Sequence, residues 1–104
     1  MLYVIATVNL RPGCRERFLE ELRTVAAEVR RESGCQEYRV AVDVASGLAR
    51  QIEPRPDTVT IVEGWADLPS LQTHSTAPHM QSFRQRSGEL VVATILQVLA
   101  PVVE

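Results

Sequence analysis

The chain has 104 residues, near the common size of one domain, and 45% of them are hydrophobic, as in an ordinary globular protein. Its net charge of -2 argues against nucleic-acid binding, and its eleven positive charges, all arginine, form no stripe that would support it. The start, Met1-Leu2-Tyr3-Val4-Ile5, carries no basic leader and Thr7 and Asn9 interrupt its apolar run, so the expectation is a cytoplasmic protein without a membrane span.

Leu2 to Leu10 alternates as a strand, with Leu2, Val4, Ala6, Val8 and Leu10 on one face and Tyr3, Ile5 and Thr7 on the other. Pro12-Gly13 ends it. A helix follows, because Phe18, Leu19, Leu22, Val25, Ala26 and Val29 recur at three- and four-residue spacing and make one apolar stripe. Glu16, Glu20 and Glu21 lie in its first half and Arg30 and Arg31 in its last turn, as the macrodipole prefers. Gly34 supplies a left-handed stop. Cys14 and Cys35 flank this helix, about 20 Å or more apart at 1.5 Å rise per residue, too far for a disulfide.

Gln36 to Val44 alternates as a second strand, with Tyr38, Val40, Val42 and Val44 on one face. Ser46-Gly47, Pro54 and Pro56 mark Ala45 to Asp57 as loop. Thr58 to Ala66 is a third strand that places Val59, Ile61, Glu63 and Trp65 on one face. Asp67 caps a short helix from Leu68 to about Thr73, with Pro69 in its first turn. Pro78 opens another, in which Met80, Phe83, Ser87 and Leu90 or Val91 face inward. A last strand runs from about Thr94 to Val102.

This order predicts an α+β domain over residues 1–104, a ferredoxin-like split β-α-β arrangement whose helices cover one face of an antiparallel sheet. The other face of such a sheet ordinarily reads polar. Here the last strand carries Ile95 and Leu99 on one side and Leu96, Val98 and Val102 on the other. A second copy of the chain is the economical cover, so a homodimer is expected.

The chemistry concentrates in Glu63-Gly64-Trp65-Ala66-Asp67, His74 and Pro78-His79-Met80, which hold both histidines and the only tryptophan. Histidine titrates near neutrality and can move a proton. Glu63 shares a face with Val59, Ile61 and Trp65, so burial of that face would desolvate a carboxyl. Each residue also has a structural reading: Trp65 as core, His74 as a group bonding helix-end carbonyls, Glu63 as half of an ion pair. The histidines are five apart with Pro78 between them, which excludes a helical metal pair. A site from Glu63, His74 and His79 would need tertiary approach. No Gly-rich phosphate loop, nucleophile elbow or CxxC motif is present, so a Rossmann-type nicotinamide or flavin site is not expected.

Tyr3 to Val8 with Pro12-Gly13, the Ser33-Gly34-Cys35 to Tyr38 segment, Glu63-x-Trp65-x-Asp67, and His74 followed by Pro78-His79-Met80 and Phe83 resemble the antibiotic biosynthesis monooxygenase family. The resemblance spans nearly the whole chain and is densest from Gly34 to Phe83. It implies a dimeric α/β barrel that uses molecular oxygen, with neither metal nor organic cofactor, on a quinol or a polycyclic phenol or anthrone. His74 is then the proton-transfer group, Trp65 an aromatic wall and Glu63 a group that orients or ionises its neighbours. His79, Tyr38 and Phe83 are the residues expected to bind substrate. Haem-degrading relatives on this fold use a first-strand asparagine, where this chain is expected to have Ala6, since Asn9 lies too near Pro12-Gly13. A non-catalytic dimeric module for a small ligand and an oxygen-independent isomerase or cyclase are the competing readings, because fold does not fix function.

Overall fold

Strands β1 (Leu2–Leu10), β2 (Cys35–Ala41), β3 (Thr58–Trp65) and β4 (Val91–Leu99) and helices α1 (Arg15–Val29), α2 (Leu68–Ser75) and α3 (Pro78–Ser87) follow in the order β1-α1-β2-β3-α2-α3-β4 in a computed structural model that describes residues 1–103. Glu104, the last residue of the expected domain, lies outside the described residues. The strands form one antiparallel sheet in the order β2-β3-β1-β4, the ferredoxin-like arrangement. Helix α1 buries Phe18, Leu22, Val25, Ala26 and Val29 in one core with Val4, Ala6, Val8 and Leu10 of β1. Fully burying a side chain of the size of Val, Leu or Phe contributes roughly 1.5–3 kcal/mol, so this stripe dominates the assembly of the domain.

The turn after α1 fixes where β2 and α2 can pack. Arg30 caps the helix, and its guanidinium donates twice to the Tyr38 carbonyl, at 3.1 and 2.9 Å. Gly34 then adopts φ +84°, open to glycine at little cost. A Cβ at Gly34 would meet Ser70 Oγ at 2.2 Å, so the missing side chain also lets α2 approach this turn. Asp67 Oδ1 accepts from the Ser70 N–H at 2.8 Å and starts α2 as a side-chain cap.

Two strand boundaries differ from the sequence pattern. Strand β2 stops at Ala41 rather than Val44, leaving Val42 and Val44 exposed. Asp43 instead accepts from the Arg55 backbone N–H at 2.9 Å and from its guanidinium at 2.8 and 3.1 Å, folding the long loop onto itself. Strand β4 begins three residues early, directly after a 3-10 turn at Gly88–Leu90, because Arg11 N–H donates to the Leu90 carbonyl at 2.9 Å and Leu10 pairs with Val91. It ends at Leu99, opposite Tyr3, close to where β1 runs out of partners.

The helices leave β4 bare. Ile95 (56% exposed) and Leu99 (43%) open one face to solvent, Leu96 (63%) and Val98 (52%) the other. Both cysteines are free. Among the described residues, no helix is long and apolar enough to cross a membrane.

Candidate active site

A cavity of about 440 Å³ lies between the helix-side face of the sheet and helices α2 and α3. Val4, Ala6 and Val8 form its floor, Phe83 and Met80 a wall, and Thr94 and Leu96 its rim on β4. Tyr38, Glu63 and His74 bring polar atoms into this apolar space. An apolar concavity with few convergent polar groups is the usual form of a small-molecule site. A second, more open depression along the β2 edge is lined by Arg30 and residues 35–40. It holds neither histidine, and its arginine is already committed to the Tyr38 carbonyl. The chemistry therefore belongs to the first cavity.

His74 stands in the last turn of α2, 6% exposed. Its ring packs on the Trp65 indole, with centroids 4.6 Å apart and planes tilted by 33°, and meets Tyr38 edge-on at 6.0 Å. Nδ1 lies 2.8 Å from Glu32 Oε2, and Nε2 lies 3.9 Å from Glu63 Oε1. In the neutral ring, a Glu32 carboxylate that accepts from Nδ1–H leaves the lone pair on Nε2, the nitrogen nearer Glu63. The contact thus presents a base rather than an N–H on that side.

Glu63 is also buried, and its Oε1 accepts from the Trp65 indole N–H at 2.9 Å. Burial pushes its carboxyl above the usual range and Glu32 raises it further, while the indole N–H pulls it back, as His74 does when its ring carries a second proton. Burial likewise pushes the Tyr38 hydroxyl up, helped by Glu63, and the Cys35 thiol up, helped by Glu32 and Glu63.

Trp65, expected as an aromatic wall, does not line the cavity. It is fully buried behind Glu63 and His74, holding the first by a hydrogen bond and the second by stacking. His79, expected at the substrate, does not line it either. Its Nε2 lies 2.9 Å from Glu32 Oε2 and its Nδ1 3.7 Å from Glu28 Oε2. Among the described residues, no group of three His, Cys, Asp or Glu side chains is placed to hold a metal ion, so Glu63, His74 and His79 make no 2-His-1-carboxylate site. Ala6 faces the cavity, whereas Asn9 is taken up by Thr58 Oγ1 at 3.1 Å.

Two charged residues of the site are not singled out by the sequence pattern. Arg84, on α3, brings a positive charge to the cavity. Glu32, in the turn after α1, joins the two histidines. One signal pointed to it: a carboxyl beyond the C-terminal end of a helix opposes the macrodipole and calls for a nearby donor.

Known proteins share both sequence and scaffold with this chain. The probable quinol monooxygenase YgiN of Escherichia coli K12 is 31% identical over an alignment of 103 positions that covers 97% of this chain and 98% of that one. Rv0793 of Mycobacterium tuberculosis superposes with a TM-score of 0.79 at 26% identity, covering 99% of this chain and 96% of that one. PA3566 of Pseudomonas aeruginosa gives 0.80 at 25%, covering 98% and 94%. The family model for the antibiotic biosynthesis monooxygenases matches residues 1–86, from β1 to nearly the end of α3 and so over every element of the His74 cavity except the 3-10 turn and the β4 rim, and the chain belongs to that family.

Proposed function

We propose that this protein is a homodimeric, cofactor-independent monooxygenase that oxidises a quinol, or a polycyclic phenol or anthrone, with molecular oxygen in the cavity at His74. The observation that carries the reading is an imidazole whose Nδ1 is held by Glu32 while its ring lines an apolar space of about 440 Å³. Pockets that take small organic ligands span roughly 300–1,000 Å³, so one to three fused rings suit this one.

The reaction closes without an outside reductant. A quinol and O₂ give a hydroxyquinone and water, with the substrate supplying all four electrons. Triplet oxygen reacts slowly with closed-shell molecules, but a phenolate donates one electron readily. His74 Nε2 takes the phenol proton and makes that anion. Tyr38, which burial keeps protonated, donates its O–H toward the substrate oxygen, and Arg84 offsets the developing charge. The apolar walls exclude water from the radical pair, and oxygen adds to the ring carbon before water is lost.

The dimer reading rests on β4. It is an edge strand of nine residues, apolar and exposed on both faces, which in an isolated chain invites association. A reducing, cytoplasmic setting suits the two free cysteines.

The test is oxygen uptake by the purified protein against a panel of quinols and anthrones, in air and under argon. The reading predicts one hydroxyquinone or quinone per O₂ consumed and no turnover under argon. Equal turnover under argon would make the protein an isomerase or cyclase. Binding without turnover of any of the panel would make it a ligand-binding module.

A further inference from the structure

We propose that Glu32 and His79 form a proton relay joining the His74 base to the protein surface. The inference deepens the oxygenase reading and rests on it for the identity of the base.

The observation is a single file of five titratable side chains drawn from separate parts of the fold. Glu63 of β3 lies 3.9 Å from His74 of α2, His74 lies 2.8 Å from Glu32, Glu32 lies 2.9 Å from His79 of α3, and His79 lies 3.7 Å from Glu28 of α1. Their side-chain exposure rises along the file, from 6% at Glu63 through 7%, 12% and 22% to 52% at Glu28. The file therefore runs unbroken from the cavity to solvent. The two inner contacts are hydrogen-bond distances that share one oxygen, Glu32 Oε2.

The chemistry needs such a path. When His74 Nε2 takes the substrate proton, a buried imidazole gains a positive charge. That charge must be held while oxygen adds, or discarded if the product leaves as an anion. The Nδ1 proton passes to Glu32, and Glu32, now a neutral acid, passes its proton to Nε2 of His79, which accepts it in the tautomer that carries its own proton on Nδ1. His79 then releases its Nδ1 proton to water or Glu28. Each group gives up one proton for each it receives, so every one returns to its charge. For the return half the steps run backward: Nε2–H protonates the departing oxygen and Glu32 reprotonates Nδ1. Tyr38 and Cys35 face the same carboxyls from β2, but burial favours their protonated forms, so neither accepts the travelling proton. Glu32 and His79 touch no substrate; they act through His74.

The test uses 4-nitrophenol, whose phenolate absorbs visibly, mixed with the protein under argon in weakly buffered solution with a pH indicator. Wild type should ionise the bound phenol and release the proton to the indicator in one phase. Release should slow at least tenfold in Glu32→Gln and in His79→Ala, with folding checked by circular dichroism. Imidazole should restore His79→Ala in proportion to its concentration, because it can replace a partly exposed ring. Wild-type release rates in His79→Ala, or a slowed variant that imidazole leaves unchanged, would overturn the relay. Failure of the wild type to ionise the probe would remove the base, and the relay with it. Ionisation by a protein that consumes no oxygen with any quinol would refute the oxygenase reading alone.

Discussion

Replacing Trp65 with phenylalanine keeps an aromatic ring against His74 but removes the indole N–H that Glu63 Oε1 accepts at 2.9 Å. Trp65 is fully buried, so the smaller ring leaves a void worth about 1 kcal/mol. The orphaned carboxyl adds about 2 kcal/mol, the typical loss of a hydrogen bond to a charged, desolvated group. Trp65→Phe should therefore destabilise by about 3 kcal/mol, which is about 10 °C or more in Tm for a chain of this size. The decisive comparison is the same substitution in a Glu63→Met background. There no carboxyl remains to be orphaned, and the indole N–H is itself without a partner. Removing that N–H should then cost about 1 kcal/mol or less, giving a coupling near 2 kcal/mol. Urea unfolding at fixed protein concentration measures all four corners of the cycle. Equal costs in the two backgrounds would refute the claim that Trp65 acts by holding Glu63.

Glu63→Gln should stabilise the protein at neutral pH while lowering activity. Burial raises the folded carboxyl above its unfolded value of 4.5, so the native state binds that proton more tightly and its advantage is lost as pH rises through the raised value. A neutral amide has no such loss, so Tm scans should show variant and wild type converging near pH 4 and separating above it; parallel curves would contradict this. Phe83→Ala should cost about 3–5 kcal/mol by thermal unfolding, since Phe83 meets Phe18 edge-on at 5.6 Å and walls the cavity. An unchanged Tm would show that the wall is not packed. Ile95→Asp should convert a dimer to monomers in sedimentation at micromolar protein, and a wild type that is already monomeric there would refute the dimer.

How much of the fold and site was legible depends on what each residue answers to. Strand β1 and the face of β3 that holds Glu63 and Trp65 follow from alternation alone, because their pattern is set by one buried side. The ends of β2 and β4 do not, since they depend on a partner strand and on Asp43 turning toward Arg55. His74, Tyr38, Phe83 and Glu63 meet at one cavity although they come from four elements; residue type singled them out, and the fold brought them together. Trp65 stands out in the sequence by its ring, whereas the fold places it behind the cavity, where its indole N–H holds Glu63 and its ring packs on His74. Glu32 stayed hidden because an acid in a turn ordinarily reads as solvated, and only packing of α2 and α3 against that turn gives it two histidines.

The central claim is that an imidazole oriented by a carboxyl makes the reactive anion. The direct measurement is oxygen uptake at saturating quinol by His74→Gln, beside binding of the same quinol under argon. Loss of a positioned general base ordinarily removes about 10²–10⁴ in rate. The account predicts a fall of that size with quinol affinity changed little. Wild-type oxygen uptake by a folded His74→Gln protein would contradict it.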